Sequence, residues 1–180
     1  MGRGAKSFGS PEQNELYTRA VAECGRMLDR LPAGYEADLD KRRDLRQDIH
    51  LQLWRSFGAF DGRCSLKTWT LRVAHNTAAS YVVRERRRNA KLISFEEIER
   101  TLESVEQPRD IDRERALREV QQVILKLRPL DRQIIISYLE GMDAASIADI
   151  TGLTPANIAM KIHRIKKILA HRIREEQSHA

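Results

Sequence analysis

Apolar residues return at helical spacing along most of the chain, and polar residues fill the intervening faces. From Glu15 onward, Leu16, Val21, Met27, Leu28 and Leu31 fit one helix that Gly25 interrupts weakly and Pro32 with Gly34 ends. Tyr35 to Arg43 reads as a charged connection. Leu45, Ile49 and Leu53 then recur at i, i+4 and i+8, and Trp54 and Phe57 widen the stripe, so Asp44 to about Phe57 is predicted to be an amphipathic helix. Asp61-Gly62 is a turn dipeptide and Ser65 a candidate N-cap. Leu66, Trp69, Val73 and Thr77 follow on one side of a further helix that should reach about Arg87.

Between Ser94 and Glu114 the chain changes character. Eight acidic residues stand against Arg100, Arg109 and Arg113, and Pro108 with this charge excess favours a tether, although Phe95, Ile98 and Leu102 could form a short helix. Beyond it, Leu117, Val120, Ile124 and Leu127 form a stripe that stops at Arg128-Pro129, because the residue before proline is steered out of the helical region. A helix with Ile134, Ile135, Tyr138 and Leu139 ends at Gly141, a C-cap. Ala144 to Thr151, then Gly152-Leu153-Thr154-Pro155, then Ile158, Ile162, Ile165 and Leu169 complete the pattern. No period-two stretch of useful length interrupts it. The expected fold is all-α: a disordered N-terminus (1–14), a helical domain (15–92), an acidic linker (93–114), a second helical domain with a helix-turn-helix (115–174) and a tail (175–180).

Charge changes the picture by suggesting a partner. A net charge of +6 and a pI near 9.6 favour a polyanion. No run of 18 apolar residues exists, and MGRGAKSFGSPEQ lacks the apolar centre of a secretory signal, so membrane insertion is not expected and the protein is read as cytoplasmic. Cys24 and Cys64 lie forty positions apart, and the five histidines are scattered, so the spacing indicates neither a metal site nor a disulfide, and no cofactor is expected.

Two stretches carry candidate chemistry. The loop Phe60 to Leu66 lies beside Trp69, and the helix after it runs into Arg84, Arg86, Arg87 and Arg88, a pairing of aromatic surface with cations that suits unpaired bases. In SIADITGLTPANIAMKIHRIKK, Ala148 permits close helix approach, Gly152 can take positive φ, and Thr154 can cap a helix whose first turn accepts Pro155. These are the marks of a helix-turn-helix. Asn157, Ala159, Met160, Lys161, His163 and Arg164 would then lie on or beside the groove-facing side. Lys161, Arg164, Lys166 and Lys167 would hold phosphates, with Asn157, Lys161 and Arg164 as base readers.

Together the halves resemble the sigma-70 family of RNA polymerase specificity subunits, in the small extracytoplasmic-function (ECF) type. DLRQDIHLQLWRSFGAFDGRCSLKTWTLRVAHN is similar to the family's region two, and LRPLDRQIIISYLEGMDAASIADITGLTPANIAMKIHRIKKIL to its region four. The resemblance implies that Asp44, Leu45, Gln47, Asp48 and Leu53 bind the clamp coiled coil of core polymerase. It implies that the loop Phe60, Asp61, Gly62, Arg63, Cys64, Ser65 and Leu66 pockets a flipped base of the minus-ten element and that Asn76 contacts the same strand; by their chemistry Trp69 would back the loop and Arg84, Arg86, Arg87 and Arg88 would face phosphates. Region four (115–174) would read the minus-thirty-five duplex through residues between Thr154 and Lys167, with the polymerase flap as a second contact and an anti-sigma factor as a candidate further partner. Arg46, His50 and Gln52 depart from the family's usual apolar or acidic choices, and Ala159 and Met160 from its polar or basic ones.

Two other readings compete. A helix-turn-helix regulator would bind duplex operator alone and leaves the aromatic loop without a task. An enzyme would rest on Asp44 and Asp48, one helical turn apart, with no nucleophile, metal cluster or phosphate loop beside them.

Overall fold

The computed structural model describes residues 9–86, Ser94 and 113–174. The acidic linker apart from its ends, the short helix expected around Phe95, Arg87, Arg88, residues 1–8 and the tail 175–180 lie outside the described residues. Seven helices are described: α1 Pro11–Arg30, α2 Leu39–Ser56, α3 Leu66–Arg86, α4 Arg113–Lys126, α5 Pro129–Leu139, α6 Ala144–Thr151 and α7 Pro155–Arg174. Single 3-10 turns follow α1 at Leu31–Gly34 and α2 at Phe57–Ala59.

Two helices begin earlier than their apolar stripes. α1 starts at Pro11 because Ser10 and Gln13 form a capping box: the Ser10 hydroxyl accepts from Gln13 N at 3.2 Å, and Gln13 Oε1 accepts from Ser10 N at 3.4 Å. Pro11 to Asn14, expected to be disordered, are therefore helical. Gln13 also donates to the Trp54 carbonyl at 2.8 Å, and Trp54 Nε1 donates to Asn14 Oδ1 at 2.9 Å, fastening this first turn to α2. α2 in turn begins at Leu39, since Asp38 accepts from both Asp40 N and Lys41 N. The expected charged connection is thus mostly the first turn of a helix.

α1, α2 and α3 bury Ala20, Cys24, Leu28, Leu45, Ile49, Leu53, Leu71, Ala74, Ala78 and Val82 against one another. The second half packs Ile124, Leu127, Ile134, Ile147 and Ile158 around α5. Gly141, at φ 81°, and Gly152, at φ 75°, terminate α5 and α6 in the left-handed region that glycine adopts without strain. Asp143 caps α6 by accepting from Ser146 N at 2.7 Å, and Thr154 caps α7 by accepting from Asn157 N at 3.3 Å.

The two halves also pack on each other. α3 runs against both α5 and α6, and the Leu31–Gly34 turn sits between α4 and α5. Arg132, 2% exposed, lies in this seam. Its Nη2 donates to the carbonyls of Leu125 and Leu127, which end α4 without intrahelical partners, and its Nη1 crosses to the Tyr35 carbonyl at 3.1 Å. The guanidinium also lies 5.7 Å from the Tyr35 ring centre. Tyr35 hydrogen-bonds His75 Nδ1 at 2.9 Å, and Ser137 meets His75 Nε2 at 3.3 Å. This buried polar chain runs from α5 through the turn to α3 and back to α5. Burial alone depresses the His75 pKa to about 4, so the imidazole is neutral at pH 7.

Candidate nucleic-acid interface

Along α2 a heptad-like alternation separates core from surface. Asp44, Gln47 and Asp48 are exposed, as a polymerase contact requires. Leu45 and Leu53, assigned to the same contact by resemblance, are 1% and 0% exposed and pack inward. In the chain alone they belong to the core and hold the helix in place. Asp48 Oδ2 stands 3.8 Å from Arg84 Nη2 of α3, an exposed and weak pair.

After α2 the chain turns through aromatic residues. Phe57 is buried, Phe60 meets it edge-on with centroids 6.4 Å apart, and Trp69 meets Phe60 edge-on at 5.4 Å. Trp69 Nε1 donates to Ser56 Oγ at 3.0 Å, so the indole joins the end of α2 to the first turn of α3. This ladder is the floor of the Phe60–Leu66 loop. Above it Asp61 accepts from Arg63 N at 3.1 Å and pairs with Arg63 Nε at 3.1 Å, while Gly62 takes φ 73° with open space around it. The loop thus projects Asp61, Gly62, Arg63 and Ser65 into solvent, with Cys64 and Leu66 part-buried. Ser65 caps α3 by accepting from Thr68 N at 3.0 Å, as its position predicted.

Beside the loop, α2 and α3 enclose an open groove of about 590 Å³ lined by Asp48, Gln52, Arg55, Ser56, Val73, Asn76, Thr77, Ser80 and Arg84. It gathers Asn76 and Arg84, expected to contact one DNA strand, with Asp48, expected to contact polymerase. Arg55 and Ser80 were not singled out in the sequence. Neither belongs to a motif, and only the pairing of α2 with α3 brings them to the same wall. Hydroxyl, amide and guanidinium groups on a trough of this kind suit a sugar-phosphate strand. Arg86 continues α3 toward the expected basic cluster, and Arg87 and Arg88 are outside the described residues.

In the helix-turn-helix of α6 and α7, Ile147, Ala148, Ile150 and Ile158 are buried, and Asn157, Ala159, Met160 and His163 are exposed. Met160 is 57% exposed, enough to offer its thioether to a groove. Lys161 points elsewhere: its Nζ pairs with Asp131 of α5 at 2.7 Å. Lys166 lies over the Tyr138 ring at 5.8 Å. Both were expected among the DNA contacts, yet both are engaged with α5. Arg164 is part-buried and Lys167 exposed.

Among the described residues no group of His, Cys, Asp and Glu could hold a metal, and no helix is long and apolar enough to cross a membrane. Cys24 is buried, and burial pushes its thiol pKa up to about 11, against activation as a nucleophile.

The described residues thus form a helical unit with an aromatic-floored loop, followed by a helix-turn-helix unit. Residues 20–88 match the family described as Sigma-70 region 2, and residues 117–169 that described as Sigma-70, region 4. The chain is 26% identical over 140 residues to the RNA polymerase sigma-H factor of Pseudomonas aeruginosa, covering 73% of this chain and 72% of the relative. It is 24% identical over 138 residues to the ECF RNA polymerase sigma-E factor of Escherichia coli K12, covering 72% of each. The chain belongs to the sigma-70 family, in its ECF branch.

Proposed function

We propose that this sigma factor, which directs RNA polymerase to promoters, divides that work among three surfaces. The exposed edge of α2, with Asp44, Gln47 and Asp48, docks on the clamp coiled coil of core polymerase. The Phe60–Leu66 loop captures a base that has left the minus-ten duplex, and the adjoining groove carries the strand past Arg55, Asn76, Thr77, Ser80 and Arg84. α7 enters the major groove at minus-thirty-five through Asn157, Ala159, Met160 and His163, where neutral and apolar side chains favour contact with thymine methyls. The polymerase flap supports region 4.

The observation that carries this reading is the floor of the loop. Phe57, Phe60 and Trp69 form one edge-to-face series directly under an exposed, turn-stabilised loop. Stacking a captured base recovers about 1–3 kcal/mol, close to the roughly 1.4 kcal/mol needed per opened base-pair step, so the loop can trap a melted base while polymerase supplies the remaining work. A regulator of duplex operator alone has no use for such a platform.

The test is reconstitution with core polymerase and a promoter selected by the holoenzyme. Replacing Asp61 to Ser65 with a Gly/Ser linker should abolish permanganate reactivity at minus-ten while core association persists. Normal reactivity would refute the loop's role. A chain that binds duplex DNA and confers no initiation on core polymerase would instead be an operator-binding regulator.

A further inference from the structure

We propose that Arg63 is the base-reading residue of the Phe60–Leu66 loop, and that it selects a base presenting two neighbouring hydrogen-bond acceptors, guanine or cytosine, against adenine and thymine. The inference rests on the capture role proposed above and adds what the loop selects. Its basis is the way Asp61 holds Arg63. Asp61 Oδ1 accepts from the Arg63 backbone N at 3.1 Å, and Oδ2 stands 3.1 Å from Arg63 Nε. Gly62, between them, takes φ 73° with nothing within 4 Å of the place its Cβ would occupy. The turn that brings Asp61 and Arg63 together therefore leaves the space beside it open.

This arrangement occupies one side of the guanidinium and leaves the other. With Nε directed at the carboxylate, the opposite edge presents Nη1 and Nη2 as a planar pair of donors, on a side chain that is 89% exposed. Such a fork matches two adjacent acceptors. Guanine offers O6 and N7, and cytosine, once out of the duplex, offers N3 and O2. Adenine sets its amino donor beside its ring acceptors, and thymine sets an N–H between its two carbonyls, so each meets the fork with one acceptor at most. The remaining side chains of the loop are committed elsewhere. Phe60 packs edge-on against Trp69 in the floor, Ser65 caps α3, and Cys64 and Leu66 are part-buried. An exposed ion pair contributes little to stability, so removing Arg63 leaves the fold in place.

The experiment uses holoenzyme reconstituted with the full chain and fork-junction DNA unpaired across minus ten. The captured position is the one where an abasic site weakens binding by the wild type and has no effect once Asp61 to Ser65 are a Gly/Ser linker. Adenine, cytosine, guanine and thymine are then compared there, as an affinity ratio within each holoenzyme, so that a variant that binds core less well still reports. The wild type should favour guanine or cytosine by about tenfold or more over adenine and thymine. Arg63→Ala should bring the ratio near one, and so should Arg63→Lys, which keeps the charge and loses the fork. Asp61→Ala should lower the ratio in the wild type and leave it unchanged in Arg63→Ala, as a positioning residue must. Replacing the preferred guanine by 7-deazaguanine, or the preferred cytosine by 3-deazacytosine, removes one acceptor and should reproduce the Arg63→Ala loss. Preference for adenine or thymine, a preference that survives Arg63→Ala or the deaza base, or full discrimination by Arg63→Lys or Asp61→Ala would each overturn the proposal. Equal weakening of all four bases by Arg63→Ala would make Arg63 a phosphate contact and overturn it too. Base-independent binding by a holoenzyme that still needs the loop for minus-ten opening refutes this inference alone, whereas a holoenzyme indifferent to loop replacement refutes the capture role itself.

Discussion

Lys161 of the expected recognition helix places its ammonium 2.7 Å from the carboxylate of Asp131, whose residue is 3% exposed. The pair joins α7 to α5 inside the second half, so a lysine expected among DNA contacts from its position also ties the last helix to the core of its own half. Lys161→Ala takes this partner from a buried carboxylate, a loss in the range of about 1–3 kcal/mol for a group that keeps some access to water. Thermal denaturation should register it. The slope of log affinity against log salt for duplex binding should not change, whereas loss of a phosphate contact would reduce that slope by about one.

Within one turn of α2 a buried leucine and an exposed carboxylate are expected to serve folding and polymerase contact separately. Leu45→Ala deletes a buried side chain and should cost about 2–5 kcal/mol, lowering the urea midpoint and core binding together. Asp48→Arg alters an exposed carboxylate whose pair with Arg84 is 3.8 Å long, so stability should shift by no more than about 1 kcal/mol while co-purification with core polymerase is lost. Retained co-purification of a folded Asp48→Arg chain would remove α2 from the polymerase interface.

His75 gives stability a defined pH dependence. Its pKa in the fold is about 4 against the ordinary 6.5, because burial disfavours the charged ring. Between these values the unfolded chain takes up a proton that the folded chain refuses. Stability present above pH 6.5 is therefore lost as pH falls toward 4, by about 1.4 kcal/mol per pH unit and of the order of 3 kcal/mol in all. Urea midpoints from pH 7 to pH 4 should fall more steeply for the wild type than for His75→Gln. Equal slopes would show that His75 does not titrate in the seam.

Trp69 and Ser56 are expected to set the order of the loop. Ser56→Ala removes the 3.0 Å hydrogen bond from the indole and should cost about 1 kcal/mol. Trp69→Ala removes the floor itself, with a cost of about 3 kcal/mol for a part-buried aromatic. Amide hydrogen exchange across residues 57–68 should accelerate in the order wild type, Ser56→Ala, Trp69→Ala. Acceleration confined to α4 to α7 would contradict this coupling.

Periodicity made the helices legible, and local chemistry marked several ends: Ser65, Gly141, Gly152 and Thr154 act as their residue types suggest. The early starts of α1 and α2 were less legible, because Ser10 with Gln13 and Asp38 with Lys41 lie outside the apolar stripes that define a helix by spacing. At the candidate site, the Asp61-Gly62 turn and the nearby aromatic residues mark the loop by residue type alone. The inward turn of Leu45 and Leu53 is already present in the i, i+4, i+8 stripe, and positional likeness to other chains obscured it. Arg55 and Ser80 had no sequence signal, since a groove wall shared by two helices depends on how they are rotated against each other. The Arg132 network was equally hidden. A lone arginine after Pro129 reads as surface until α4 ends beside it and its carbonyls need donors.

Both tryptophans of the chain fall in the first half, and they stand in different surroundings. Trp54 is fastened to the first turn of α1 by its own N–H and carbonyl, whereas Trp69 packs under the loop proposed to capture a base. The protein therefore carries two built-in optical reporters. With Trp54 replaced by phenylalanine, the remaining emission follows the loop floor alone, so capture of a melted base could be timed by fluorescence quenching without attaching a dye.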